Sequence, residues 1–259
     1  MRDRILQELK KLEEAHDIKV LLAVESGSRG WGFPSADSDY DARFIYLHKP
    51  DWYISVNEKR DVIDLPCDGV LDINGWDLRK TLRLFLQSNL PLLEWLQSPV
   101  KYAENGPFAS ALRALIPQFF SPVHGMHHYF HTAKNKMAGD DESSIRLKRY
   151  FYMLRPLLAC LWIEKYGSCP PMDFESLLAG SRLDDRLLAE IAALVSRKAA
   201  ATEDAAEAPN PVLMGFISSS TMARLEPILA TVAKTPHGDV EDLNRLFRQT
   251  LRDDWHEGA

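Results

Sequence analysis

A glycine-serine pair followed by two closely spaced aspartates is the part of this chain with the clearest chemical meaning. Gly27 and Ser28 stand directly after the apolar run 20–24, which predicts a buried strand that ends in a tight turn. Such a turn brings backbone N–H groups and a hydroxyl close to a phosphate. Asp39 and Asp41 come next, and positions i and i+2 of a strand face the same side. Two hard oxygen ligands on one face begin a Mg²⁺ site, so the pattern suggests nucleotide chemistry.

The same two aspartates have a second interpretation as turn residues. Ser and Asp side chains bond nearby backbone N–H groups and stabilise turns without any ligand. The run 42–47 follows directly and predicts a strand that begins with two acids. Acids are unfavourable in β structure, and a local rule broken in this way often marks a functional site. From the residues alone, metal ligation and turn formation both stay open for Asp39 and Asp41.

A third carboxylate is required if two metal ions are to be held. Asp72 lies between two apolar residues in the run 69–73, which predicts a strand that carries one inward-facing acid. Asp77 is the alternative, but it stands directly before the helical run 78–86, where an aspartate is the usual N-cap. We favour Asp72 as the third ligand and keep Asp77 as the competing candidate.

Apolar runs and turn residues predict a mixed amino-terminal half followed by helices. A helix is expected over 3–16 and strands near 18–25, 40–47, 53–56 and 69–74, with Asn74-Gly75 among the turn signals. Helical patterns punctuated by prolines fill the chain from Asp77 onward. We therefore expect an α/β (α+β) fold, in which a small mixed sheet with flanking helices precedes an all-α C-terminal region that closes over the site. The predicted domains are 1–105 and 106–259.

Composition and charge exclude several classes of protein. The chain has 259 residues, of which 46% are hydrophobic, so it can form one large globular domain or two small ones. Its apolar runs are far shorter than the roughly 20 residues that cross a bilayer. The charged amino terminus is unlike a secretion signal and the three cysteines are widely spaced, so we expect a cytoplasmic protein with no membrane contact. A net charge of −6 argues against broad, non-specific binding of nucleic acid.

Any contact with nucleic acid must therefore be local, and a helix predicted near 144–166 carries candidates for it. Its apolar residues recur at helical spacing and should face the core; they are Leu147, Phe151, Leu154 and Leu158. Lys148, Tyr152 and Arg155 form a parallel stripe that could meet a triphosphate or an acceptor strand. A solvated basic face is the alternative. Arg29 also has two interpretations. Its planar guanidinium could bind two phosphate oxygens, or it could be an exposed cation in a loop.

Three of these features together resemble a known superfamily. Gly27-Ser28, Asp39-x-Asp41 and a lone acid on a later strand resemble the DNA polymerase β-like nucleotidyltransferases. Longer strings are similar to the predicted nucleotidyltransferases of the RNA-repair (RNA ligase-associated) branch. These strings are Glu25 to Phe33, Ser38-Asp39-Tyr40-Asp41-x-Arg43-Phe44-Ile45-Tyr46, Asn74 to Lys80, Leu92 to Pro99 and Lys148 to Ala159. The resemblance covers roughly residues 18–165.

The resemblance implies a metal-dependent transfer of a nucleoside monophosphate from an NTP to an acceptor hydroxyl, with release of pyrophosphate. By their positions in the motif, Asp39, Asp41 and Asp72 would hold two Mg²⁺ (or Mn²⁺) ions. The residues that would contact the nucleotide are Gly27, Ser28, Arg29, Lys148, Tyr152 and Arg155. Residues 1–105 would form the catalytic domain. The favoured acceptor is an RNA 3′ end, and RNA-repair proteins are candidate partners.

Two other functions stay open. The same chemistry could adenylylate a small molecule or a protein side chain, which the low pI of about 5.8 favours. The chain could also be a catalytically silent NTP- or RNA-binding subunit of a repair complex. Three converging carboxylates repel one another without metal, however, so the presence of all three argues against a silent subunit. The residues do not identify the NTP, the acceptor, any template requirement or the oligomeric state.

Overall fold

The computed structural model describes residues 1–67, 69–137, 143–232 and 238–255, and it confirms the predicted α+β fold with a helical C-terminal region. These residues divide into two compact units. Unit 1 contains the described residues of Met1–Gly30, Asp39–Phe119 and Pro236–Ala259, and unit 2 contains those of Trp31–Ser38 and Phe120–Thr235. Both units combine separated segments of the chain. The contiguous domains 1–105 and 106–259 stay a prediction.

Helices outnumber strands in the described part of the chain. The helices are α1 (Arg2–His16), α2 (Gly27–Trp31), α3 (Pro50–Tyr53), α4 (Leu78–Leu86), α5 (Leu90–Gln97), α6 (Phe108–Phe119), α7 (Pro122–Met137), α8 (Leu147–Tyr166), α9 (Phe174–Gly180), α10 (Asp185–Ala200), α11 (Pro211–Gly215), a π-helical segment (Phe216–Thr221), α12 (Met222–Ile228) and α13 (Val240–Trp255). The strands are β1 (Ile18–Glu25), β2 (Tyr40–His48), β3 (Val62–Leu65), β4 (Leu71–Asp77), β5 (Lys101–Glu104), β6 (Ile145–Arg146) and β7 (Ala206–Glu207). No described helix combines the length and the apolar character that a membrane crossing requires.

The sheet of unit 1 has the strand order β3-β4-β2-β1-β5. β2 and β4 run parallel, whereas the other neighbouring strands are antiparallel. Parallel pairing aligns equivalent ends of the two strands, so Asp41 lies opposite Asp72. Because side chains alternate along a strand, Asp41 and Arg43 point to one side of β2 while Ala42 and Phe44 point to the other.

The second side of β2 faces the main core of unit 1. Its inward side chains pack with Ile5, Leu9 and Leu12, which recur at helical spacing along α1. Phe44 and Tyr46 belong to the same cluster and are fully buried. Burial of each of these large apolar side chains contributes about 1.5–3 kcal/mol. The core therefore anchors β2, and with it the opposite side that carries Asp41.

Two local predictions are wrong. The segment 53–56 is not a strand; α3 ends at Tyr53, and the third strand of the chain is Val62–Leu65. Asn74-Gly75 is not a turn, because both residues lie inside β4. Gly75 is paired with Phe44, and a Cβ at position 75 would lie 2.2 Å from Cζ of that ring. Glycine stands there because an aromatic ring crosses the strand, not because the chain reverses.

Unit 2 is organised around α8. The apolar stripe predicted for this helix is buried, which confirms Leu147, Phe151, Leu154 and Leu158 as core residues. The segment Trp31–Ser38 also belongs to this unit. Phe33 stacks on Phe151 with ring centroids 4.4 Å apart and meets Phe174 edge-on at 5.5 Å. Aromatic packing therefore holds the segment Trp31–Ser38 against α8 and α9.

A buried polar network fastens the same segment to the end of α10. Lys198 is only 2% exposed, and its ammonium donates to Ser35 Oγ at 2.7 Å and to Glu203 Oε1 at 3.3 Å. The Ser38 hydroxyl donates to the same carboxylate oxygen. The Glu203 backbone N–H completes the network by donating to Asp37 Oδ1 at 2.9 Å. The network ends at Ser38, which directly precedes Asp39 in the chain.

Candidate active site

Asp41 and Asp72 share one cation at the start of the parallel strand pair. The Arg43 guanidinium donates through Nη2 to Asp41 Oδ1 at 2.9 Å and to Asp72 Oδ2 at 2.7 Å. Its Nη1 also donates to the Asp72 carbonyl at 3.2 Å. Both carboxylates are about two-thirds shielded from solvent, and the arginine is more deeply buried than either. Two carboxylates on adjacent strands therefore converge on a single positive charge.

The backbone around Asp41 is held by a buried carboxylate at the end of β1. Glu25 Oε1 accepts from the Asp41 N–H at 2.7 Å, and its other oxygen accepts from the Tyr102 hydroxyl. Ser26 N–H donates to the Asp41 carbonyl at 2.9 Å. Burial raises the pKa of Glu25, while the hydrogen bonds from Tyr102 and Asp41 oppose that change. Asp41 is therefore positioned by bonds on both sides of its peptide backbone.

Gly27 allows the turn after β1 to approach the Asp41 side chain. Its φ is +56°, a left-handed conformation that favours glycine. A Cβ at this position would lie 2.1 Å from Asp41 Oδ2, which is much closer than atoms can approach. The glycine therefore leaves room for the aspartate carboxylate. Ser28 follows in the same turn, at the start of α2.

Negative charge accumulates around Asp41. Burial raises its pKa; the Arg43 cation lowers it, and the carboxylates of Asp72 and Asp39 raise it further. Asp39 is exposed and stands directly before β2. Its carbonyl accepts from Arg29 Nε at 3.1 Å, and the Arg29 guanidinium lies 3.9 Å from the Tyr40 ring centroid. The charged residues at the start of β2 therefore lie close enough to influence one another; they are Asp39, Asp41, Asp72 and Arg29.

Asp77, the competing third ligand, caps α4. It is fully buried, and its Oδ1 accepts from the Arg79 N–H at 2.8 Å while its Oδ2 accepts from the Tyr53 hydroxyl at 2.6 Å. Both carboxylate oxygens are thus engaged at the far end of β4 from Asp72. The predicted N-cap is confirmed, and the geometry favours Asp72 over Asp77 as a ligand beside Asp41.

Replacing Asp77 by alanine is expected to lower the free energy of unfolding by about 2 kcal/mol, because the cap and the bond from Tyr53 are both lost. Nucleotide incorporation per folded molecule should stay at the wild-type level. Urea unfolding and an incorporation assay on the same preparation measure the two effects. Intact stability together with lost incorporation would instead make Asp77 a ligand.

The three candidates on α8 belong to unit 2, whereas Asp39, Asp41 and Asp72 belong to unit 1, and each candidate has a partner within unit 2. Arg155 is buried, and its Nε and Nη2 donate to the Met172 carbonyl at 3.1 and 2.9 Å. Lys148 pairs with Glu203 at 3.4 Å, and the Tyr152 ring meets the Trp31 ring edge-on at 5.6 Å. These contacts give all three residues structural roles. Their contact with a nucleotide stays a prediction.

The carboxylates fit a divalent metal by their chemistry and by their convergence. Within the described residues, no three His, Cys, Asp or Glu side chains already form a cluster with metal-ligand spacing. Asp41 and Asp72 nevertheless lie within 3 Å of one guanidinium nitrogen, so a cation can be shared between them. Carboxylate oxygens are the ligands that Mg²⁺ prefers. A metal at this place requires Arg43 to move aside.

Two contributors to the site were missed from the sequence. Arg43 lies two residues after Asp41, so the same alternation that aligns Asp39 with Asp41 extends to it. Glu25 is an acid at the end of an otherwise apolar strand, which is the kind of broken local rule that drew attention to Asp39. Both signals were present, but the partners of each side chain depend on which strands pair.

One curated protein matches this chain over its whole length, and one solved structure matches most of it. The "Uncharacterized protein YcgL" of Bacillus subtilis (strain 168) is 44% identical over 264 residues, and the alignment covers 100% of both chains. A crystal structure of a nucleotidyltransferase-like protein from Exiguobacterium sibiricum 255-15 matches 95% of this chain and 75% of that one, at 13% identity. Its TM-score of 0.30 is too low to support conclusions about the site.

The family comparison is more decisive. A family model described as "RlaP: RNA repair pathway DNA polymerase beta family" matches residues 1–249, which is nearly the entire chain. The match includes the strand pair that carries Asp41 and Asp72. The resemblance to polymerase β-like nucleotidyltransferases is thereby confirmed. This chain belongs to the RlaP family, the DNA polymerase beta family of the RNA repair pathway.

Proposed function

We propose that this protein is a metal-dependent nucleotidyltransferase that moves a nucleoside monophosphate from an NTP to the hydroxyl of an RNA 3′ end, with release of pyrophosphate. Family membership supports nucleotidyl transfer in RNA repair. The observation that carries the proposed site is the convergence of Asp41 and Asp72, on adjacent parallel strands, upon one cation. Asp39, which is close enough to raise the pKa of Asp41, is the proposed third ligand residue.

Each residue of the site has a proposed task. Asp41 and Asp72 present oxygens on one side of the sheet, and Asp39 adds a carboxylate from the solvent-exposed approach. Divalent cations, when bound, would neutralise charge on the triphosphate and acidify the attacking hydroxyl. Ser28 and Arg29 would hold phosphate oxygens, the arginine being oriented by the Tyr40 ring and the Asp39 carbonyl. Positioning and electrostatics would supply most of the rate.

A labelling experiment tests the proposal. The purified full chain is incubated with Mg²⁺, each labelled NTP in turn and short RNAs with free 3′ hydroxyls. The Asp39→Asn/Asp41→Asn double variant is the control. Label on RNA with the wild-type protein alone supports the proposal and identifies the nucleotide. Label on the protein itself would support adenylylation of a side chain, and no label with any NTP would support the silent-subunit alternative.

Removal of Arg43 is expected to strengthen metal binding. In the Arg43→Gln variant no internal cation competes for Asp41 and Asp72, so Mn²⁺ should bind about tenfold more tightly, equivalent to about 1.4 kcal/mol. Titration followed by electron paramagnetic resonance of free Mn²⁺ measures this without any turnover. Arg43→Lys keeps the charge and should stay close to wild type. Weaker Mn²⁺ binding by Arg43→Gln would show that the arginine supports the metal rather than competing with it.

A further inference from the structure

A cavity of about 330 Å³ lies in unit 1 at the C-terminal end of β2, whereas Asp41 lies at its N-terminal end. The side chains of Tyr46 and His48 reach it from β2, and Trp52 reaches it from α3. Lys59 and Arg60 line it from the loop before β3. Its volume is at the lower end of the range for small-molecule sites. The proposed nucleotidyl transfer uses none of these residues.

Tyr46, one of the residues that line this cavity, carries a buried hydroxyl without a hydrogen-bond partner among the described residues. Tyr46 is 0% exposed, and its hydroxyl makes no hydrogen bond with any residue in the described part of the chain. Buried hydroxyls are almost always hydrogen-bonded, because an unpaired one has lost its bonds to water. A bound molecule with a polar atom at this position would satisfy the hydroxyl. The orphaned group therefore points to a ligand.

Two of the residues that line the cavity, His48 and Trp52, carry stacked aromatic rings, which we call the aromatic wall. His48 stacks on Trp52 with centroids 4.2 Å apart and planes 10° apart. Burial lowers the pKa of His48 to about 4, and the nearby Lys59 cation adds to the decrease. The neutral imidazole can both donate and accept a hydrogen bond. Such a wall suits a planar heteroaromatic ring.

The cavity is also lined by charged side chains, among them Lys59, Arg60 and Asp64. Lys59 is exposed and forms no ion pair with any residue in the ranges the structure describes. Its neighbour Arg60, in contrast, is paired with Asp64 at 2.8 Å. The ammonium of Lys59 lies 5.8 Å from the Trp52 ring centroid. An anionic group attached to a planar ring would therefore meet a positive charge beside the aromatic wall.

We propose that this cavity binds one nucleotide unit, with its base along the His48 and Trp52 wall, a polar base atom at the Tyr46 hydroxyl and its phosphate at Lys59. The ligand chemistry is that of a heteroaromatic base joined to a phosphate. A free mononucleotide and a single nucleotide within an RNA strand share this chemistry. The site is separate from the acids at the other end of β2, so it stands whether or not those acids hold metal.

The experiment uses the Asp39→Asn/Asp41→Asn variant of the full chain without divalent metal. Nucleotide binding at the candidate active site then does not contribute to the signal. Isothermal titration with AMP, adenosine and inorganic phosphate is compared with titration of a 5′-phosphorylated RNA pentamer. We expect AMP to bind more tightly than adenosine or phosphate alone. Tighter binding of AMP than of the pentamer would identify a free nucleotide as the ligand, and the reverse order an RNA strand.

Matched substitutions in the same background test the residues. Tyr46→Phe should weaken AMP binding about fivefold, the loss of one hydrogen bond. The same change should leave the melting temperature equal or higher, because the hydroxyl has no partner in the protein alone. Lys59→Gln should weaken AMP binding about fivefold while sparing adenosine. Lys10→Gln, at an exposed position of α1, should change neither.

Three results would overturn the proposal. The first is the absence of binding by both AMP and the RNA pentamer. The second is binding that neither Tyr46→Phe nor Lys59→Gln changes. The third is adenosine binding as tightly as AMP, since the phosphate would then have no place at Lys59. None of these results bears on metal binding by the acids, which the Mn²⁺ titration measures separately.

Discussion

Replacing Asp41 or Asp72 by asparagine is expected to slow nucleotidyl transfer by roughly a thousandfold or more, equivalent to at least about 4 kcal/mol of transition-state stabilisation. The two residues oppose each other on parallel strands and bond to one guanidinium nitrogen. An amide oxygen carries no net negative charge, so it binds a divalent cation more weakly than a carboxylate oxygen does. Single-turnover incorporation of labelled NTP at saturating Mg²⁺ measures the loss.

The fold should survive this substitution, which keeps the prediction testable. Burial raises the pKa of Asp41, and neighbouring Asp72 and Asp39 add to the increase, so the charged form is disfavoured there. A neutral amide of the same shape relieves that repulsion as it loses the bond to Arg43. Asp3→Asn, on the exposed first turn of α1, is the matched control and should keep full activity. A correctly folded Asp41→Asn protein with more than a tenth of wild-type activity would refute the assignment of this carboxylate.

Replacing Lys198 by methionine is expected to lower the free energy of unfolding by about 3 kcal/mol. The ammonium is buried between Ser35 Oγ and Glu203 Oε1, and methionine supplies neither the charge nor the donors. Glu203 would keep the hydrogen bond from Ser38 and the longer ion pair with Lys148. Removing one partner of a buried ion pair costs more than the pair contributes, because the remaining charge loses its nearest counter-ion.

Urea unfolding of matched variants separates this network from a general effect of the substitution. Arg186→Met removes an exposed cation from the same helix and should change stability by no more than about 0.5 kcal/mol. The double variant Lys198→Met/Glu203→Gln removes both charges of the buried pair, although Lys148 then loses its contact with Glu203, and it should recover part of the lost stability. If Lys198→Met unfolds at the same urea concentration as Arg186→Met, the network does not stabilise the protein.

Local periodicity was enough to predict much of the fold. The first helix, the strands β1 and β2, and the buried stripe of α8 all follow from apolar spacing within a short stretch of chain. The N-cap role of Asp77 follows from one residue type placed before a helical run. Predictions failed where a distant contact overrides the local signal. The pair Asn74-Gly75 is typical of a turn, yet it lies in β4, where Gly75 leaves room for the Phe44 ring.

The candidate site depends on the pairing of distant strands more than the individual helices and strands do. Alternation along a strand predicts that Asp39 and Asp41 face one side, so they could be proposed as a pair, although β2 begins at Tyr40 and Asp39 directly precedes it. That Asp72 joins Asp41 is decided by the parallel register of β2 and β4, and this register also places the Arg43 guanidinium between the two carboxylates. Glu25 reaches Asp41 only because β1 and β2 are neighbours in the sheet.

The sequence by itself therefore determined which residues are available for chemistry. These are the aspartates and the glycine turn, together with the strands and helices that carry them. Those features depend on residues close together in the chain, where backbone geometry and hydrophobic period act directly. Only the tertiary structure decided which charges meet, which carboxylate caps a helix and which buried hydroxyls lack a hydrogen-bond partner among the described residues. These depend on strand register and burial, which follow from the free energy of packing the whole core rather than from any short segment.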